Sequence, residues 1–324
     1  MRARLVDGAY AVGWALVRIL PHSLAHALFR LGADLAYRRN GPGVRRLRAN
    51  LRRVVGPSAD LAALDSLTRR GLRSYARYWL EVFRLPSTRP ERVVDGMRIR
   101  DKHILDRAHA AGHGVLLALP HMGNWDHAGA WLVLQDIGFT TVAERLEPAR
   151  LYDRFVAYRE SLGMEVLPLT GSRQPVFAVL ADRLRAGRGV CLLADRDLST
   201  AGIEVDFFGG RTRMPAGPAL LALRTGAPLL PVSLWYAGPD WAARIHEPID
   251  VPATGRLTEK VATMTQQLAD VFAGAVAAHP QDWHMLQPLW LDDGARPAGP
   301  GESAAGPAAE AGADVLSAVP GAPR

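Results

Sequence analysis

LALPHMGNWDHAGAWL, residues 117–132, is the stretch on which the fold turns. A short apolar run, 114–119, ends at Pro120, and a second apolar pattern begins at Trp125. Runs of five or six apolar residues suit buried strands, whereas the spacing after Trp125 suits a helix. Between them Gly123 permits a tight turn and Asn124 is a natural helix cap. The stretch therefore predicts a strand over 114–119, a turn over 120–124 and a helix over 125–136.

The same alternation continues downstream. GVLLALP (114–120), FTTVAERL (139–146), MEVLPL (164–169), GVCLLAD (189–195) and PLLPVSLWY (228–236) are strand-like. Helical stretches 125–136, 149–162 and 176–187 separate the first four. Strand–helix alternation of this kind predicts an α/β fold, with a mostly parallel central sheet flanked by helices. Upstream, residues 1–40 read as two helices broken at Pro21, with Ser23 capping the second. Residues 43–55 and 59–84 continue the helical pattern, with a stripe of Leu61, Leu64, Leu67, Leu72, Tyr75, Trp79 and Val82. A last helix, 258–278, precedes HPQDWHMLQPLW (279–290). Residues 294–324 are mostly Ala, Gly and Pro with no stripe to bury, and read as a disordered tail. The expected organisation is basic amphipathic membrane-association helices in 1–55, an α/β domain in 56–293 and the tail in 294–324.

Composition narrows the function classes. The chain of 324 residues is 48% hydrophobic, enough for a large core. One cysteine, Cys191, excludes an internal disulfide framework and a Cys-rich zinc site. The net charge of +7 is concentrated at the start, where residues 1–53 hold eleven arginines against Asp7 and Asp34. The apolar run GAYAVGWALV (8–17) is too short to cross a bilayer, which takes about 20 helical residues. It also lacks a cleavage signature. Arginine-flanked apolar helices carrying Tyr10 and Trp14 suit an anionic membrane surface. A hairpin packed on the core is the structural alternative. No nucleic-acid motif accompanies the charge, so no nucleic-acid partner is expected.

His121 and Asp126 carry the chemistry in this reading. On one helix their side chains would lie roughly 140° apart, so they meet only if His121 stays in the preceding turn. That turn falls at the carboxyl end of a strand, where parallel sheets gather ligands. A histidine held by a carboxylate can take a proton from a hydroxyl. No nucleophile accompanies the pair: TGSRQ (170–174) lacks the G-x-S-x-G frame, and Cys191 lies in an apolar strand. The hydroxyl is then the substrate's own, and the reaction an acyl or similar group transfer. His127 is expected to face away from the site.

HMGNWD (121–126) fits the H-x4-D motif, and the chain resembles the glycerolipid-type acyltransferase superfamily. YWLEVFRLP (78–86), LLADRDL (192–198) and EVDFFGGRTRMPAGPALLALRTGAPLLPVSLWY (204–236) are similar to its lipid A-type branch, nearer the part that acylates phosphatidylinositol mannosides. The similarity spans everything but the tail. It implies that His121 is the general base and Asp126 its orienting partner. It implies substrate-side roles for Glu144, Arg159, Asp195, His279 and His284, and Asp197 belongs to the same block. Arg211 and Arg213, in a glycine-flanked loop, suit a phosphate partner. Glu144 and Arg159 could instead be an ion pair, Asp195 and Asp197 turn caps, His279 a helix cap, and the two arginines a solvated loop.

The implied reaction moves a long acyl chain, palmitoyl for instance, from acyl-CoA to a mannose hydroxyl of a phosphatidylinositol mannoside. Acyl-CoA is then a co-substrate, and neither cofactor nor metal is expected. The partners are acyl-CoA, an anionic glycolipid and the inner face of the cell membrane. Transfer to a lipid A-type glycolipid is the near alternative. A hydrolase with a metal held by His121, Asp126, Asp195 and Asp197 is the remote one, and a non-catalytic membrane scaffold is a third reading.

Overall fold

The computed structural model describes residues 17–144, 149–170, 174–197 and 202–293. Tyr10 and Trp14, the centre of TGSRQ and the tail at 294–324 lie outside the described residues.

Residues 17–19 are helical, and after a break at 20–21 three helices follow: α1 (His22–Arg39), α2 (Pro42–Val55) and α3 (Leu61–Arg84). Helix α1 begins directly after Pro21, so Ser23 sits inside its first turn and makes no cap. Helix α2 starts on Pro42, whose missing N–H costs nothing at a helix start. Asp60 caps α3 by accepting from the Ala63 N–H at 2.9 Å. The α3 stripe is buried at Leu64, Leu67, Leu72, Tyr75 and Val82, while Leu61 is exposed. From α2, buried Asn50 donates to the Met285 and Gln287 carbonyls at 2.7 and 2.9 Å, tying this helix to the far end of the chain.

The sheet follows. Its elements are α4 (Pro90–Asp95), β1 (Met97–Arg100), α5 (Lys102–Ala110), β2 (Val115–Leu119), α6 (Trp125–Val133), β3 (Phe139–Ala143) and α7 (Ala149–Ser161). Next come β4 (Glu165–Pro168), α8 (Val176–Arg185), β5 (Gly189–Leu193), β6 (Ile203–Phe207), β7 (Gly210–Met214), α9 (Gly217–Thr225), β8 (Leu229–Ala237), β9 (Asp240–Ile245) and α10 (Leu257–Ala278). Seven strands make one sheet in the order β1-β9-β8-β2-β5-β3-β4. The strands from β8 to β4 are parallel. A Gly238–Pro239 turn, with Gly238 at positive φ, folds β9 back antiparallel on β8, and β1 pairs parallel with β9. The sheet is thus mostly parallel rather than wholly so. Strand β1 has no buried position and β9 buries only a three-residue run before Arg244, and both carry charges, which hid them from a search for apolar runs.

Strand β2 is buried at all five positions, which requires cover on both faces. Its register against β5 pairs Leu119 with Leu193. Two residues beyond each strand end stand His121 and Asp195, so the parallel register sets them side by side. Among the described residues no helix is long and apolar enough to cross a membrane.

Candidate active site

The turn after β2 is built as its residues dictate. Gly123 adopts φ +60°, and a Cβ there would come within 2.7 Å of the Leu234 backbone. Asn124 caps α6, its side-chain oxygen accepting from the His127 N–H at 2.9 Å. Its amide group donates to Glu81 on α3 at 2.7 Å, which fixes the cap itself. A segment after α10 braces the turn from outside. The Gly123 N–H donates to the Asp282 carbonyl at 2.8 Å, and the His284 N–H to the His121 carbonyl at 2.7 Å. Met122 and Trp283 form a single antiparallel bridge between these contacts.

His121 Nδ1 lies 2.5 Å from Asp195 Oδ1. Asp195 Oδ2 accepts the His121 backbone N–H and the Trp283 indole N–H, each at 2.9 Å. Asp195 is wholly buried, and burial alone would raise its carboxyl. The charge on His121 and the hydrogen bonds from His121 and Trp283 more than offset that and hold it below the usual carboxylate range. An ionised Asp195 makes Nδ1 the protonated nitrogen. The second ring nitrogen, Nε2, is then a bare lone pair with no partner among the described residues, on a part-exposed ring.

Asp126 is not the carboxylate that orients His121, as the motif reading expected. Its Oδ1 accepts from Arg159 Nε at 2.7 Å and its Oδ2 from the Tyr78 hydroxyl at 2.7 Å. Asp126 is buried at 2% exposure. As the second residue of α6 it is rotated toward α3 and α7, away from the turn, because helix geometry carries successive side chains round by about 100°. Burial would lower the Arg159 guanidinium and does raise the Tyr78 hydroxyl. The Asp126 charge reverses the first effect, so Arg159 is held up, and it adds to the second.

The other expected residues divide. Arg159 reaches the site through Asp126, not through a pair with Glu144. Glu144 acts at longer range on Arg196, the part-buried arginine next to Asp195. Asp197 takes the turn role, accepting the Gly202 N–H at 3.0 Å. Arg211 and Arg213 lie in strand β7 and not in a loop, and they pair with acids across the β6–β7 hairpin. Arg213 meets Glu204 at 2.9 Å, and Arg211 meets Glu204 at 3.3 Å and Asp206 at 3.6 Å. Facing acidic and basic residues in register leaves those cations matched before any phosphate arrives. His279 stacks on Trp235 with ring centres 4.6 Å apart, and is not brought to the His121 ring. His284 is buried beside the site, its Nε2 3.0 Å from the Ser74 hydroxyl, and burial lowers it to about 3. His127 faces away, stacked on Trp241 at 3.7 Å and lowered by burial to about 3. Burial raises the Cys191 thiol, so it is not a thiolate.

Between α6 and the sheet runs a mainly apolar cavity lined by Leu117, Leu119, Leu193, Leu234, Met164 and Trp125, together with Asp126 and Arg159. It reaches Leu119 at the end of β2 and Trp125 at the start of α6, and the Trp125 ring centre is 5.7 Å from that of His121. Sequence reasoning missed Tyr78, Ser74, Asp282 and Trp283. Ser74 and Tyr78 stand on α3, and Asp282 and Trp283 in the stretch 279–290, with no local pattern to mark a long-range partner.

A family described as bacterial lipid A biosynthesis acyltransferase matches residues 2–292. A phosphatidylinositol mannoside acyltransferase of Mycolicibacterium smegmatis is 52% identical over 291 residues, covering 90% of this chain and 93% of its own. One of the same description from Mycobacterium tuberculosis is 52% identical over 295 residues, 89% of each chain.

Proposed function

The chain belongs to the bacterial lipid A biosynthesis acyltransferase family, and from that premise we propose that it acylates a mannose hydroxyl of a phosphatidylinositol mannoside from long-chain acyl-CoA. The observation that carries the chemistry is the His121–Asp195 pair, with Nδ1 engaged and Nε2 bare at the carboxyl end of β2. Nε2 takes the proton of the acceptor hydroxyl as its oxygen attacks the thioester carbonyl. The C–S bond breaks and coenzyme A leaves as a thiolate, a good leaving group that needs little acid help. Asp195 stabilises the imidazolium while it exists. The Trp125 and Asp126 N–H groups at the start of α6 are the donors for the oxyanion, since the Asn124 cap takes only the His127 N–H. Arg159, anchored on Asp126, adds positive charge nearby. The cavity beneath α6 suits an acyl chain because its lining is chiefly apolar. The acceptor rests on the names of the two mycobacterial relatives.

Docking on the inner membrane face belongs to the same proposal. Leu24, Ala27 and Leu31 form an exposed stripe at helical spacing on α1, which also exposes Arg30 and Arg38. Such a face suits the headgroup layer of an anionic bilayer.

The test is mass spectrometry of lipids after incubation with palmitoyl-CoA and purified phosphatidylinositol mannosides, with a lipid A-type acceptor alongside. Acylated mannoside is expected, and His121→Ala should reduce turnover about 10²–10⁴-fold. Near-normal turnover in His121→Ala would refute the base, and preference for the lipid A-type acceptor would refute the mannoside.

A further inference from the structure

We infer that Trp283 is a positioning residue for the reaction, its indole N–H locking the Asp195 carboxylate in the orientation that presents Oδ1 to His121. This rests on the reading of His121 as the base.

Asp195 Oδ2 has two lone pairs, and two neutral donors 2.9 Å away use them: the His121 backbone N–H and the Trp283 indole. The first comes from the same residue the carboxylate serves, so it moves with the turn. Among the described residues the indole is the one side-chain donor to Oδ2. Trp283 is fully buried, wedged against Phe207, Phe208 and Trp290 with ring centres 6.0 to 6.4 Å away. Its neighbours hold its backbone as well. The Asp282 carbonyl accepts the Gly123 N–H, and the Asp282 carboxylate accepts the Ser74 hydroxyl at 2.7 Å and the Tyr236 N–H at 3.1 Å. Because the Ser74 proton points to Asp282, His284 Nε2 carries the proton of the 3.0 Å contact and donates to Ser74. Residues 282–284 therefore clamp the His121 turn on one side and aim an N–H at its carboxylate on the other.

A carboxylate relieved of one donor keeps more charge on the oxygen facing the imidazole. That stabilises the imidazolium and moves the protonation of His121 to higher pH. The other ionisable groups around the pair are His284 from the clamp, Arg196 and Asp197 from the end of β5, and Glu144 from the end of β3. The indole N–H itself is given to Asp195, so its removal acts first on that carboxylate.

Two replacements test this by thiol release from palmitoyl-CoA with phosphatidylinositol mannoside as acceptor. Trp283→Phe removes the donor but also some volume from a packed site. Benzothienylalanine at position 283 keeps the bicyclic shape and exchanges only the N–H for sulfur. In the second protein kcat should fall about tenfold with KM unchanged, because the unlocked carboxylate no longer holds the ring in line and that loss outweighs the firmer imidazolium. The acid limb of kcat/KM should move to higher pH. Wild-type kcat with an unmoved acid limb in that protein overturns the proposal, whatever Trp283→Phe does. Activity surviving in His121→Ala would instead overturn the base assignment, so the two failures are distinct.

Discussion

Asp195→Asn and Asp126→Asn should part company. The first removes the charge that steadies the imidazolium at nearly constant volume, so turnover should collapse, with a smaller fall in melting temperature than in the second. The second leaves the buried Arg159 guanidinium without its counter-ion. Breaking a buried pair from one side costs about 3–5 kcal/mol, which for a chain of this size lowers the melting temperature on the order of 10 °C. Paired thermal melts and turnover assays check both, and equal loss of stability in the two variants would contradict the assignment. The linkage has a sign. The Asp195 carboxyl is held below its usual value, so its contribution is present above the unfolded carboxylate pKa and is lost as pH falls through the folded one. At this scale the motif paired His121 with Asp126, whereas the ring meets Asp195. Spacing of five residues describes neighbours in the chain, whereas the carboxylate that reaches the ring is 74 residues away.

The strand–turn–helix unit behaves as its local chemistry requires. Asn124→Ala should cost about 1 kcal/mol for the lost cap, seen as a modest drop in melting temperature with the acid limb unmoved. Gly123→Ala is a harsher change. It places a Cβ 2.7 Å from the Leu234 backbone at a positive φ, so the turn must shift. Activity should be lost more than stability, and a fully active Gly123→Ala would show the turn to be less fixed than its contacts indicate. The expected strands recur as β2, β3, β4, β5 and β8, and α6 runs from Trp125 as expected but ends at Val133. Strands β1, β6 and β7 escaped because their residues alternate with charges, and β9 because its apolar run is only three residues long between Asp240 and Arg244. GGRTRMP read as a loop because its glycines were visible and its partner strand was not.

For the whole molecule, two buried neutral histidines set an acid limit. His127 and His284 each titrate near 3 when folded, far below the usual histidine value. The unfolded chain therefore binds more protons below about pH 6.5, and stability falls as pH drops from there toward 3. Each histidine contributes about 1.4 kcal/mol per pH unit in that window. His127→Phe preserves the stacking on Trp241 and should remove about half of their joint slope in a series of melts from pH 6.5 to 4. An unchanged slope would place the acid sensitivity elsewhere. Membrane docking is also a property at this scale. The protein should co-sediment with anionic vesicles and release as salt rises, since the arginine contribution is screened. Leu24→Glu with Leu31→Glu should abolish binding without loss of fold, and undiminished binding would reject α1 as the docking face.

The sequence by itself determined the α/β alternation, the position of the turn at 120–124, the cap at Asn124 and the placing of His121 at a strand's carboxyl end. Those features follow from rules that act within a helical turn or a few residues: apolar period, glycine's φ range and capping. Only the tertiary structure decided which carboxylate His121 meets, that Asp126 serves Arg159 and Tyr78, that Arg211 and Arg213 are matched across a hairpin, and that Trp283 closes over Asp195. Strand order places β5 beside β2, and packing around it brings α3, α7 and the segment after α10 to the same turn. Such neighbours are chosen by burial and register among distant segments, which no local spacing encodes.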